Sequence, residues 1–304
     1  MKNTNTLVII IAYLLMIIIW STTPLAIKWS SQGIDFISGL SIRMFIGAVL
    51  AIILTLIWYR SVPLHKKARQ VYLASALAIY GAMMMVYWGA QFIPSGLVSV
   101  IFGLTPIITT GFALYFLSSE NFALNKFIGA FISITGLAII FIDTIHLGDQ
   151  ALLGIAAVLL SVTLHAGSAV WIKRLNEPLP ALIVTTGGLI YSMPLFILSF
   201  IFFAEPLPVE VPSRTFWSII YLGVMGSVVG FVSYYFVLAR LSPSTVALAT
   251  LITPISALFL GRWLNHENIT ASIFIGTACV LTGLVLHQFY EPLLKQIKNG
   301  VKLQ

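Results

Sequence analysis

The chain has 304 residues, of which 59% are apolar and 8% charged, with a mean hydropathy of +1.03. That balance excludes a soluble globular domain, in which about 25% of residues are charged. The formal charge of +7 is therefore read through the membrane placement of its basic residues, not as a nucleic-acid footprint, and the single cysteine, Cys279, excludes an intramolecular disulfide and a cysteine-rich metal centre.

A membrane-spanning helix needs about 20 mostly apolar residues, because its backbone polar groups must be paired internally. Ten segments meet that requirement, near 7–27, 36–59, 71–92, 96–117, 124–142, 151–172, 179–204, 215–239, 245–264 and 269–290. The first run is too long for the apolar core of a secretory signal and lacks a following A-x-A-type site, so it is read as a retained helix. The expected architecture is an all-α polytopic membrane protein. Its short loops carry a charge bias. With the N-terminus in the cytoplasm, Lys2, Arg60, Lys66, Lys67, Arg69, Lys126, Lys173, Arg174, Arg240, Lys295, Lys298 and Lys302 lie inside, and Lys28, Arg214 and Arg262 outside. That bias predicts cytoplasmic termini.

The sequence repeats itself. "FIGAFISITGL" from Phe127 and "FIGTACVLTGL" from Phe274 begin 147 residues apart, each seven residues after a Glu-Asn pair. "IPSGLVSVIFGLTPIITT" from Ile93 matches "SPSTVALATLITPISAL" from Ser242, with Thr105-Pro106 answering Thr253-Pro254. Both stretches run on to an acid at a loop, Glu120 and Glu267, then to Gly129/Gly136 and Gly276/Gly283. Seven residues is two helical turns, so each glycine pair lies on one face and offers a strip that another helix can approach closely. Trp20 aligns with His165 and Lys28 with Lys173, more loosely, at an offset of 145. Five spans per copy is an odd number, so the second copy enters from the opposite side. We expect two inverted five-helix repeats, 1–145 and 146–292, followed by a tail at 293–304. Inverted repeats are the architecture of secondary transporters, with a midplane site between the halves.

Trp20-Ser21 with Pro24 in the first helix, Arg43 early in the second, and the doubled pattern Pro106, Glu120, Gly129, Gly136 and Pro254, Glu267, Gly276, Gly283 resemble the ten-helix EamA branch of the drug/metabolite transporter superfamily. The resemblance spans nearly the whole chain. It implies an inverted-repeat fold with cytoplasmic termini in a bacterial inner membrane, and export of amino acids or other small metabolites.

Ionisable groups at membrane depth are costly and mark function. Arg43 lies roughly 10 Å below one end of its helix at about 1.5 Å per residue, where it can fork onto a substrate carboxylate or snorkel to neighbouring carbonyls. His165 lies equally deep and mirrors Trp20. It is either a packing residue or a proton carrier. In the third helix Tyr80, Met84, Tyr87, Trp88 and Gln91 recur along one stripe, suited to an apolar or aromatic moiety, with plain helix packing as the alternative. Together with Trp20, Thr23, Ser168 and Tyr234 they form the candidate substrate cavity.

None of the ten segments places Asp or Glu near its centre, which disfavours exchange of protons for cations. The expected protein is a carrier of small metabolites, apolar or aromatic amino acids first, working by facilitated diffusion or weak proton coupling, with no cofactor, no nucleic-acid partner and a monomer as the working assembly. A cationic drug exporter is the alternative of the same class. A membrane-embedded enzyme using Asp143, His146 and Asp149 is the alternative of another class, and a channel lacks a filter-like glycine run or charged ring.

Overall fold

In a computed structural model that describes residues 6–117, 124–144, 150–268 and 270–301, the chain forms ten helical rods. They are α1 Thr6–Ser30, α2 Phe36–Tyr59, α3 Lys66–Gly89, α4 Ser95–Phe116, α5 Leu124–Thr144, α6 Ala151–Leu175, α7 Ala181–Phe203, α8 Ser213–Leu238, α9 243–265 and α10 Ala271–Val301. Among the described residues, seven of them are long and apolar enough to cross a membrane on length and composition. The residues of α5 and α10 whose side chains are described include the apolar stretches Ile128–Ile140 and Ala271–Leu286, and α9 is built of three pieces, Pro243–Ala247, Leu248–Leu251 and Thr253–Asn265. The helix of α10 continues beyond the predicted span, through the described part of the expected tail.

Local chemistry sets the ends. Asp35 Oδ1 accepts from the Ile37 and Ser38 N–H groups at 2.9 and 3.0 Å and caps α2. Proline precedes α4, α7 and α8, where a missing N–H costs nothing and the fixed φ directs the chain into the helix. Arg60, Asn176 and His266 adopt left-handed φ values of 63°, 47° and 52° and terminate α2, α6 and α9. Large apolar side chains such as Ile18, Phe45, Leu56, Phe131, Phe202 and Phe274 remain outward and exposed. Lipid is the solvent that such a surface requires.

The repeats are visible as matching irregularities. In α3, Leu77–Ala82 is π-helical, and in α8 so is Leu222–Gly230, at the corresponding place. Ser161 of α6 donates to the Ala82 carbonyl at 2.7 Å and so satisfies one loosened backbone group. Both Thr-Pro pairs restart a helix, at Thr105 in α4 and Thr253 in α9. Lys28 Nζ donates to the Ile93 carbonyl at 2.8 Å and lies 3.5 Å from that of Ala90, while Lys173 Nζ donates to the Leu238 and Leu241 carbonyls at 3.0 and 2.9 Å. Each lysine thus closes the end of the α3 or α8 rod in the same way.

The glycine strips face one another. A Cβ on Gly136 would sit 2.6 Å from the Gly276 carbonyl oxygen, and one on Gly283 would sit 2.4 Å from that of Gly129, so α5 and α10 cross antiparallel with their backbones in contact. Ser133 Oγ donates to the Val280 carbonyl across that seam at 3.1 Å. The close partner of each repeat's strip is the strip of the other repeat.

Glu267 also reaches across. Its Oε1 accepts from the Ser95 N–H and hydroxyl at 3.1 and 2.8 Å, and its Oε2 from the Gly96 N–H at 3.2 Å. The loop acid of one half therefore caps and charge-balances the N-terminus of α4 in the other. Its sequence counterpart, Glu120, lies outside the described residues, as do His146 and Asp149; the side chain of Asp143 is likewise not described.

Candidate functional site

A cavity of about 70 Å³ lies among α1, α2, α3, α4, α6, α8 and α9, which come from both halves. Trp20, Thr23, Pro24, Arg43, Ser99 and His165 are among its walls, with Phe102, Gly226, Thr250 and Thr253 closing it. Pro24 puts a residue without an N–H into α1, so the usual fourth-residue donor to the Trp20 carbonyl is missing beside the cavity.

The repeat-related pair meets at the centre. The ring centroids of Trp20 and His165 are 5.6 Å apart in an edge-on contact at 75°, and Tyr234 lies against both, at 5.3 and 5.0 Å. Phe102 adds a further ring edge to His165 at 6.5 Å. The imidazole is 5% exposed and its Nδ1 has no hydrogen-bond partner. The Ser99 hydroxyl on the same wall is also unpartnered. Such groups are uncommon in a settled core, where nearly every buried polar atom is paired.

Arg43 is 2% exposed and does not snorkel. Its Nε donates to Ser227 Oγ at 3.0 Å and its Nη1 to the Tyr87 hydroxyl at 3.1 Å, with Cζ 5.7 Å from the Tyr87 ring centroid. Tyr87 is itself buried and lies 3.4 Å from Ser30 Oγ, so it holds the guanidinium from behind. Gly226, in the π-helical part of α8, makes room in front: a Cβ there would stand 2.9 Å from Nη2.

The structure therefore brings Trp20, Thr23, Arg43 and His165 to one cavity, with Tyr87 and Tyr234 in contact with them. The remaining candidates are engaged elsewhere. Tyr80 bonds Ser199 at 2.7 Å and packs on Phe196 of α7, Trp88 packs on Phe92, and Ser168 donates to the Ala74 carbonyl at 2.6 Å. Met83 lines the cavity in place of Met84. The π-helical turn explains that shift: its wider spiral advances the face by about one residue relative to the 3.6-residue period used to draw the stripe. Ser99, Phe102, Gly226, Thr250 and Thr253 were not among the sequence candidates. Phe102 and Thr250 each stand three residues before one of the doubled Thr-Pro pairs, Thr253 belongs to the second pair, and Gly226 lies in a glycine-rich stretch of α8, the available sequence signals for them.

A larger hollow, about 740 Å³, opens where α6 passes into α7, with Trp58, Lys173, Pro180 and Arg240 among its walls. None of the ten candidate residues lines it. The smaller, central cavity is the one that gathers the candidate residues, with the unpaired Ser99 hydroxyl and His165 Nδ1 on its walls.

Ten rods in two inverted halves, enclosing a small, mainly apolar cavity with a few buried polar groups where repeat-related residues meet, define a membrane carrier for small molecules. The sequence profile of the EamA-like transporter family matches residues 7–142 and 152–287, and the chain belongs to that family. Similar proteins include the "Uncharacterized transporter YoaV" of Bacillus subtilis, 28% identical over 276 residues that cover 90% of this chain and 94% of the relative. The "Probable terminal-alkyne amino-acid exporter" of Streptantibioticus cattleyicolor is 25% identical, covering 90% and 91% of the two chains. Protein PecM of Dickeya dadantii is 24% identical over 72% of this chain and 73% of its own. A crystal structure superposes with a TM-score of 0.71 over 93% of this chain and 97% of the other at 17% identity, a likeness of fold. The protein is a small-molecule transporter embedded by multiple spans in a lipid bilayer.

Proposed function

We propose that the protein exports amino acids, with apolar or aromatic side chains favoured, across a bacterial cytoplasmic membrane by alternating access. The observation that carries this reading is the meeting of Trp20 and His165, the same position in two inverted halves, at the wall of a cavity shared by both. Rocking the unit 1–145 against the unit 146–292 exposes such a cavity to one side and then the other. Both termini lie in the cytoplasm, as the basic loops require.

The aromatic wall of Trp20, Phe102 and Phe231 suits a flat or branched apolar side chain. The amino-acid exporter among the relatives points to the same substrate class. No described carboxylate lines the cavity, which supports facilitated diffusion, or weak coupling through His165, over the proton-for-cation exchange that a buried acid serves. The same absence argues against a cationic drug as cargo, since Arg43 would repel it.

Reconstitution in liposomes with a counterflow panel of amino acids, nucleosides and quaternary ammonium drugs tests the reading. Saturable exchange of phenylalanine or leucine is the expected result. A preference for the quaternary cations overturns the substrate class, and unsaturable flux without counterflow overturns the carrier. Covalent turnover of a substrate would instead bring forward the enzyme reading of Asp143, His146 and Asp149.

A further inference from the structure

Arg43 is buried in a membrane-spanning helix with no described acidic partner, and its two protein hydrogen bonds go to neutral hydroxyls. A guanidinium carries five N–H donors. Ser227 and Tyr87 use two of them, on the Nε and Nη1 side, which leaves Nη2 against the bare Gly226 backbone at the cavity wall. An unneutralised charge at depth is expensive, and proteins rarely keep one without a compensating ion. Across the same cavity stand two more unsatisfied groups, Ser99 Oγ and His165 Nδ1. Three incomplete polar groups converge on one small space.

We infer that Arg43 is the resident counter-ion for a carboxylate of the transported molecule, and that Gly226 keeps the approach to its Nη2 open. The inference rests on the central cavity being the substrate site. It deepens that reading by stating what every good substrate must carry. The carboxylate completes the guanidinium fork, which Tyr87 and Ser227 hold in a fixed plane. Ser99 and His165, facing the same space, supply a hydroxyl donor and an imidazole nitrogen to the polar head. The apolar remainder lies on Trp20 and Phe102. One fixed positive charge matches one negative charge, so a monocarboxylate head is neutralised, whereas an amine lacking the carboxylate meets the guanidinium as a like charge.

The test is uptake into proteoliposomes of L-phenylalanine, 3-phenylpropionate and phenethylamine, with L-leucine as an apolar non-aromatic probe. It is run with the wild type and with the Arg43→Gln, Arg43→Lys and Gly226→Ala variants. Expected are uptake of carboxylate-bearing probes and exclusion of phenethylamine. Arg43→Gln raises KM for the carboxylates roughly ten- to a hundredfold, the worth of a hydrogen bond to a charged group. Arg43→Lys recovers part of that loss, because it restores the charge without the planar fork. Gly226→Ala, whose Cβ displaces Nη2, raises KM for the carboxylates several-fold with only a small fall in melting temperature, since the atom it crowds is a side-chain end, and it keeps the inference testable if the arginine variants do not fold. Uptake of 3-phenylpropionate without phenylalanine would remove the amino-acid reading and leave the carboxylate site standing. Equal uptake of phenethylamine and phenylalanine, an unchanged KM in Arg43→Gln, or no carboxylate uptake by the wild type overturns it.

Discussion

Set side by side, the two halves of the chain agree at their edges and differ at their centre. Lys28 and Lys173 bind paired carbonyls in the same manner, the π-helical turns of α3 and α8 correspond, and the glycine strips of α5 and α10 mesh. Around the cavity the match ends. Trp20 faces His165, and the position 145 residues beyond Arg43 is Gly188, where a Cβ would stand 2.1 Å from Ser75 Oγ. A carrier that exposes one site to both sides needs like hinges and latches in its two halves. Its substrate, having no symmetry, needs an unlike pocket. The symmetric features belong to the motion and the asymmetric ones to recognition.

The most damaging way to break this correspondence is at the α5–α10 seam. Gly283→Leu places a branched side chain where even a Cβ lies 2.3 Å from Ser133 Oγ and 2.4 Å from the Gly129 carbonyl oxygen. Backbones cannot yield as a flexible side chain would, so the expected cost is about 3 kcal/mol, the upper part of the overpacking range. It is read as a fall in melting temperature of the detergent-purified protein. Gly111→Ala is the control, since a Cβ there meets nothing within 4 Å. Equal melting temperatures for the two variants would show that the strips do not bear on each other.

Next comes the acid that ties one half to the other. Glu267→Gln keeps the shape of the side chain but replaces an ionised acceptor that serves Ser95 and Gly96 at the start of α4, with Asn265 Nδ2 donating to it at 2.9 Å. The loss expected is about 2 kcal/mol, from charge-assisted hydrogen bonds and the helix dipole together. Thermal melting of the variant against wild type measures it, and no change would make this contact incidental.

The lysine pair sharpens the comparison. Removing Lys28 frees the α3–α4 connection, and removing Lys173 frees the α8–α9 connection, so Lys28→Met and Lys173→Met should shift the carrier toward opposite openings by about 1 to 2 kcal/mol each. The chain has one cysteine, so a Cys279→Ser background permits single reporter cysteines beside Ile93 and Leu241. Labelling rates of the two reporters should rise one at a time in the single variants. A rise of both in either variant would mean that the lysines do not act as separate latches.

Much of this fold was legible in the sequence because apolar runs of about 20 residues declare themselves and the loops between them are short. The glycine pairs marked a face, but only the folded chain shows that each strip meets its counterpart in the other repeat. Arg43 could be given a depth from its place in α2. Whether it snorkelled depended on Ser227 and Tyr87, which are 184 and 44 residues away. Met84 and Tyr80 were drawn onto one stripe by a period of 3.6 that the π-helical turn breaks. Gly226 and Thr250 reach the cavity through the packing of α8 and α9 on α1, a tertiary fact that no local pattern announces.

The smallest effect expected is at the contact between α2 and α7, corresponding helices of the two halves. Thr55 and Thr186 share a hydroxyl hydrogen bond of 2.7 Å, and Thr186 lies 3.2 Å from the Ala51 carbonyl. Both side chains are buried, so intuition assigns the bond a large role. In a membrane, however, the separated helices also find partners for their hydroxyls, and such bonds average about 0.6 kcal/mol. Thr186→Val, which keeps the shape and removes the donor, should therefore cost less than about 1 kcal/mol, and Thr186→Ser should sit between it and wild type. A loss as large as that of Glu267→Gln would show that this face of the dyad is held by polar bonds in preference to close packing, and would move α2–α7 from the passive frame into the hinge.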